Sequence, residues 1–306
     1  MSRFTRRWPV IFLLAAALLA GGAAVVLRYT VWSDPTATAA RLDALMIRIL
    51  GSTEELKASE LLSYHRIEGG TVACMREHGM PYESAPFFSR YEGFTDADLG
   101  YGTGRAGVLD SVTEHGRRFI TNVLGHAHMP AGYYERGAPP GVDPDGWAAV
   151  VNGCRAPYEY RDYHDFLPPT GAYELSDLPG IGSDIIGDSM IKLGIMRYSP
   201  CMAELGYQVE WHGRDDFLFH DWGLRLEDAP VNGRPATPAW NDAVAALTAT
   251  FTADATCREA SYRPAMRLLA SRLDRWEAEH RAELDAIRAE WRCRVAEAAG
   301  LPTTLA

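Results

Sequence analysis

Residues 74–79 read Cys-Met-Arg-Glu-His-Gly, and residues 201–206 read Cys-Met-Ala-Glu-Leu-Gly. Each phrase closes a segment of helical composition. The first segment opens with Ser52 and Glu55 at the spacing of a capping box, and the second begins near residue 183. A glycine after the last helical turn readily adopts the positive φ of a helix C-cap. We therefore predict two helices that each carry a cysteine about one and a half turns before the end.

The five cysteines extend this parallel. Each phrase supplies one Cys-Met, and a Cys-Arg follows 80 residues after Cys74 and 56 residues after Cys201. If the phrases mark diverged copies of one unit, the simplest pairing is Cys74 with Cys154 and Cys201 with Cys257. Cys293 then remains as a free thiol, either buried or available for an intermolecular link. Spacing alone does not determine connectivity, so other pairings stay open.

The rest of the chain also favours helices. Residues 109–124 and 238–256 have helical composition, and apolar residues recur every three or four positions from 269 to 298, before Gly300 and Pro302. Residues 80–108 and 125–182 are rich in Gly, Pro, Tyr and Phe and are expected to be irregular. We predict a mainly α fold of two disulfide-stapled helical units with long aromatic loops; the alternative is an α+β fold with a small sheet in those loops.

The N-terminus predicts membrane attachment. Residues 1–7 form a basic tail, and residues 8–27 hold no charge, which is enough to cross a bilayer once. We predict a signal anchor at 8–28 with the N-terminus in the cytoplasm, a juxtamembrane segment at 29–50, and helical units at 51–182 and 183–306 outside the cytoplasm. The alternative is a signal peptide cut near Ala37-Thr38-Ala39, which would release a secreted protein.

The charge balance restricts the partners. Four of the 30 basic residues and none of the 40 acidic residues lie in the first 28 positions, so the remainder has a formal charge of −14. Binding to nucleic acid needs basic clusters that neutralise phosphates. Nucleic acid is therefore not an expected partner, and the cell membrane, contacted through residues 8–27, is the partner that the sequence predicts directly.

Few residues suggest catalysis. Gly187-Asp188-Ser189 resembles the nucleophile block of a lipase-like hydrolase, but no buried strand precedes it and no late Asp-x-x-His follows it, so we interpret it as a helical turn. Glu77 and Glu204 occupy equivalent positions in the two phrases and could divide acid and base roles if they met in a cleft. Their alternative interpretation is an exposed helix face.

Metal binding has similarly limited support. The pairs His126 with His128 and His212 with His220 lack the i, i+4 spacing that preforms a helical metal site. Asp143-Pro144-Asp145-Gly146 places glycine too early for a calcium loop and is interpreted as a turn. The sequence therefore predicts no metal site and no cofactor.

Two Cys-Met-x3-Gly phrases, a Gly-Cys about 80 residues after the first, and a Cys-Arg before a long charged helix together resemble a group of exported actinobacterial proteins without an assigned activity. This chain differs from the group in Met80, where an aromatic is expected, and in Cys293. The expected function is that of a membrane-tethered, extracytoplasmic, non-catalytic binding or scaffold module whose loops contact an envelope protein or a glycan. The alternative is an envelope hydrolase or metal-binding protein.

Overall fold

The computed structural model describes residues 34–99, 137–161, 167–212, 215–217, 228–230 and 235–305. The predicted basic tail and signal anchor, the predicted helix at 109–124, and His126, His128 and His220 lie outside these residues. Within the described part of the chain, no helix is both long and apolar enough to cross a bilayer.

The described chain is mainly helical. Its helices are α1 (Pro35–Leu50), α2 (Thr53–Glu77), α3 (Asp96–Leu99), α4 (Pro144–Arg161), α5 (Ala172–Ser176), α6 (Gly182–Gly187), α7 (Ser189–Met196), α8 (Tyr198–Glu204), α9 (Pro238–Ala270), α10 (Leu273–Glu279) and α11 (Arg281–Ala298). Two short strands, β1 (Glu210–His212) and β2 (Asp215–Phe217), pair in antiparallel with Glu210 opposite Phe217. This hairpin lies in a loop, but it is too small to change the fold class.

The first helix is part of the core. Helix α1 starts at an Asp34 N-cap, and its apolar face is buried against the rest of the domain, with Leu42 and Ile49 fully inaccessible. The predicted juxtamembrane segment at 29–50 therefore includes a packed structural helix. The sequence alone did not indicate this packing, because the buried residues that pack with the apolar face of α1 lie more than 100 positions further along the chain.

Two long predicted helices are interrupted. The segment at 183–206 forms α6, α7 and α8, because the Asp188 carboxylate accepts bonds from the amides of Met190 and Ile191 and starts a new helix. The C-terminal stripe is divided between α9, α10 and α11. The Ser271 hydroxyl donates to the Leu268 carbonyl at the first break, and a side-chain bond of this kind competes with helix continuation.

The prediction of an irregular stretch from 125 to 182 is wrong for α4 and α5. Helix α4 begins where the Asp143 carboxylate accepts the Gly146 amide, and Pro144 in the first turn suits a helix start. Apolar side chains at Trp147, Val151 and Cys154 are buried at helical spacing. The prediction failed because the Gly, Pro, Tyr and Phe content of the stretch obscured the helical spacing of these apolar residues.

One core joins the two predicted units. Its largest cluster combines residues from α1, from the α5 to α7 segment, and from α9 to α11, with Trp291 fully buried. Helix α7 approaches α9 so closely that a Cβ on Gly194 would lie 2.5 Å from the Ser261 backbone. The disulfides lie outside this core in two smaller clusters of their own.

Candidate functional site

The two Cys-Met-x-Glu-x-Gly phrases have the same backbone geometry. Gly79 and Gly206 have positive φ values of 66° and 87°. The amide after each glycine donates to the methionine carbonyl five residues earlier, from Met80 to Met75 and from Tyr207 to Met202, at 2.9 Å in both cases. This is the bond of a Schellman cap, and it satisfies a carbonyl that the helix leaves unpaired.

Each cysteine before these caps forms a disulfide. Cys74 in α2 is bonded to Cys154 in α4, and Cys201 in α8 is bonded to Cys257 in α9, which is the pairing that the duplicated phrases predict. In both pairs the phrase cysteine is partly exposed and its partner is buried. Cys293 is free and exposed on α11, so the interpretation as a buried thiol is wrong.

A tyrosine, an arginine and a carboxylate form a cluster beside the first disulfide. The buried Glu68 carboxylate accepts a bond from the Tyr82 hydroxyl at 2.7 Å and from Arg155 Nη2 at 2.5 Å. Arg155 also donates to the Tyr82 hydroxyl at 2.8 Å, whereas its buried Nε has no hydrogen-bond partner among the described residues. Burial and the Glu68 carboxylate raise the pKa of Tyr82 to about 12.

A chemically similar cluster lies beside the second disulfide. The fully buried Asp254 carboxylate accepts bonds from the Tyr198 hydroxyl at 2.5 Å and from Arg258 Nε at 2.6 Å. The guanidinium carbon of Arg258 lies 4.3 Å from the centre of the Tyr198 ring. Burial, followed by the charge of Asp254, raises the pKa of Tyr198 above its ordinary value.

Each of these two clusters joins a helix next to a disulfide to another part of the chain through buried polar contacts. In each, the arginine directly follows a disulfide cysteine, while the tyrosine and the carboxylate come from unrelated positions in the two halves. The raised pKa values favour the neutral form of both tyrosines, in which each hydroxyl donates a hydrogen bond to the buried carboxylate. Each carboxylate is already bonded to an arginine. The chemistry that the clusters support best is the fixing of helices and loops.

The segment after Gly79 is fixed in the same way. The buried Glu60 carboxylate accepts bonds from the Ser89 hydroxyl at 2.5 Å and from Arg90 Nε at 2.9 Å. Burial raises the pKa of Glu60, and the bonds from Ser89 and Arg90 oppose that rise. The described part of this aromatic loop is therefore held to α2 by buried polar contacts.

The residues considered as catalytic candidates lie in ordinary helical positions. Glu77 and Glu204 are both exposed at helix ends, which agrees with the helix-surface interpretation. Asp188 is the N-cap of α7 and its carboxylate bonds two helix amides, while Ser189 is the first residue of that helix and is exposed. Asp143 and Gly146 form the start of α4, not a calcium loop.

A group with metal-ligand chemistry lies where the sequence predicted only a disulfide. The sulfur atoms of Cys74 and Cys154 and a ring nitrogen of His78 all lie within 4.8 Å of one another. His78 is exposed and follows Cys74 by four residues, one helical turn further along. The signal in the sequence is this Cys-x3-His spacing, which is hidden because Cys74 is also the first cysteine of a disulfide.

Two clefts flank the short helix α10. One, of about 430 Å³, is lined by residues of α1, α10 and α11. In it Glu277 lies between two arginines, 2.6 Å from Arg41 and 2.9 Å from Arg48. The other, of about 450 Å³, is lined by the α5 to α6 turn and by α10. Because the lining holds three arginines and three carboxylates, the first cleft has no net formal charge to attract an anionic ligand.

Large apolar side chains are exposed along α7 and at the end of α8. They are Met190, Leu193, Met196 and Leu205. The opposite face of α7 packs on α9 through Ile191 and Gly194. This surface is the main exposed apolar feature of the described helices in the second half of the chain.

Comparisons with known proteins found no matching family model, no matching curated protein and no matching solved structure.

Proposed function

We propose that this protein is a membrane-tethered extracytoplasmic scaffold or binding module without catalytic activity. The observation that carries the proposal is the pair of disulfides, each closing a helix end of the same geometry. Disulfides form and persist in oxidising compartments outside the cytoplasm. The apolar run at residues 8–27 supplies the tether in this proposal.

The matching helix ends further support an origin as two diverged helical units. The phrases share the positive-φ glycine, the cap bonds, a fully buried methionine and a disulfide to a Cys-Arg dipeptide. The packing of both halves into one core is consistent with two copies that have since become a single folded body. A rigid body of this kind suits a role in which a surface must be held in a fixed shape.

The buried carboxylates support a structural role over a catalytic one. Glu55, Glu60, Glu68 and Asp254 are buried, and each contacts an arginine at 2.5–2.9 Å. A carboxylate that acts as a general acid or base must reach a substrate. Glu55, Glu60 and Glu68 instead join distant parts of the chain through their arginines, and Asp254 joins α8 to α9 through Tyr198. The alternative of an envelope hydrolase has less support from the described residues.

The exposed thiol of Cys293 allows a direct test of location. We expect a membrane-impermeant polyethylene glycol maleimide to shift the full-length protein in intact spheroplasts, to the same extent as after detergent permeabilisation. The physical reason is that Cys293 is the free cysteine and is exposed on α11. The Cys293→Ser variant is the matched control and should not shift.

Labelling that requires permeabilisation would place the domain in the cytoplasm and would contradict the proposal. Extraction of the membranes with alkaline carbonate in the same experiment tests the tether. Retention in the membrane pellet supports an anchor. Protein that is found in the carbonate extract or in the culture medium supports signal cleavage, which contradicts the membrane-tethered form of the proposal.

A further inference from the structure

The first disulfide differs from the second in one neighbouring side chain. Cys74 and Cys201 are both partly exposed, Cys154 and Cys257 are both buried, and the cap bonds are equivalent. The residue four positions after the phrase cysteine is His78 in the first copy and Leu205 in the second. Only the first disulfide therefore has an imidazole of this kind beside its sulfur atoms among the described residues.

We propose that Cys74, Cys154 and His78 bind a zinc ion once a dithiol reductant has opened the Cys74–Cys154 disulfide. In the first step the dithiol transfers two electrons and two protons to the cysteine sulfurs and leaves as its own disulfide. In the second step zinc binds both sulfurs as thiolates and displaces their two protons, while the neutral imidazole supplies the third ligand.

The positions of the three groups suit this coordination. Zinc binds sulfur at about 2.3 Å and imidazole nitrogen at about 2.0 Å, so ligand atoms of a tetrahedral site lie roughly 3.5–3.8 Å apart. The three ligand atoms already lie within 4.8 Å of one another. Small side-chain rotations after reduction would bring them to these distances, because Cys74 and His78 share one helix turn.

The electrostatics and the surroundings agree with the geometry. Two thiolates offset the charge of Zn²⁺, so the change from disulfide to zinc site buries no net charge around Cys154. Met75 and Trp147 pack around the cysteines on the inner side, and an apolar shell of this kind limits water at a metal. His78 is exposed, so zinc has an entry path and the fourth coordination position faces solvent.

The second copy supplies the matched control. His78→Leu gives the first site the side chain that the second copy carries at Leu205. Leu205→His performs the reverse exchange beside Cys201 and Cys257. Both positions are exposed at the end of a helix, so neither substitution disturbs the core.

The test is zinc uptake by the purified full-length protein with and without a phosphine reductant, followed by competition with a chromophoric chelator. We expect no zinc on the oxidised protein and one zinc per chain on the reduced protein. The His78→Leu variant should bind zinc more than about tenfold more weakly. Loss of a hydrogen-bond partner of a metal ligand already lowers metal affinity by about tenfold or more, and loss of the ligand itself should have a larger effect. Leu205→His should raise the stoichiometry to two.

Cobalt in place of zinc reports the ligands directly. Thiolate-to-cobalt charge-transfer absorption should appear in the reduced protein and persist in a Cys201→Ser/Cys257→Ser variant. Thiol titration establishes that the cysteines of the reduced protein are free. Far-ultraviolet circular dichroism shows whether the reduced protein keeps its helices. The proposal is overturned if the reduced protein with free thiols binds no zinc, if His78→Leu binds it as tightly, or if the oxidised protein binds it equally.

Discussion

Replacement of Asp254 by Asn is expected to lower the free energy of unfolding by about 3–5 kcal/mol, because the buried charge of Arg258 then loses the carboxylate that it contacts at 2.6 Å. Asp254 is 0 % exposed and Arg258 is 8 % exposed. The same carboxylate oxygen also accepts the Tyr198 hydroxyl. Asparagine has nearly the same size as aspartate and can still form some hydrogen bonds, so the loss of stability measures the contribution of the negative charge. Urea unfolding followed by circular dichroism measures it.

The next turns of α9 provide the control. Glu259 and Arg263 form an ion pair with the same i, i+4 spacing, but Glu259 is 39 % exposed. Solvent screening limits such pairs to about 0.5 kcal/mol or less, so Glu259→Gln should leave the urea midpoint almost unchanged. Equal effects of the two substitutions would contradict the interpretation of the Tyr198–Asp254–Arg258 cluster as a buried brace.

Replacement of Trp291 by Ala should also destabilise the fold by about 3–5 kcal/mol, the cost of removing a large aromatic side chain from a packed core. The Trp291 side chain is 0 % exposed, and its Nε1 donates to the Ile49 carbonyl at 3.1 Å in the last turn of α1. Its ring lies so close to Gly51 that a Cβ there would be 2.7 Å away. Thermal unfolding and urea unfolding measure the loss.

Met196 is the control for this substitution. It is an apolar residue on α7 that is 74 % exposed, so Met196→Ala removes little buried surface and should change stability by less than about 0.5 kcal/mol. The loss of stability in Trp291→Phe should lie between these two values, because phenylalanine keeps a six-membered aromatic ring but cannot donate a hydrogen bond to the Ile49 carbonyl. A small effect of Trp291→Ala would mean that α1 is not anchored to α11 through this side chain.

The helix ends could be predicted from the sequence because their signals are local. Ser52 and Glu55 form the expected capping box, and Gly79 and Gly206 have the expected positive φ. The repeated phrase then pointed to the cysteine pairs, since two copies of one unit favour equivalent links. The apolar stripe from Leu269 to Ala298 lies on helices that face the core, although three helices carry it and not the one long helix that was predicted.

The interruptions and the buried polar contacts could not be predicted, because they depend on tertiary partners. Asp188 ends one helix and starts another through its side chain, which a periodicity pattern does not register. Arg155 and Arg258 follow equivalent cysteines, but Tyr82 and Tyr198 reach them from opposite sides of the phrase. No sequence spacing relates these partners, so the two clusters become visible only in the folded chain.

The central claim is that two equivalent helix ends are each closed by a disulfide. The most direct test is peptide mapping of the full-length protein under non-reducing conditions after the free thiols have been blocked. Our account predicts peptides that link Cys74 to Cys154 and Cys201 to Cys257, with the blocking group on Cys293. Links between the two pairs, or blocking groups on all five cysteines, would contradict it.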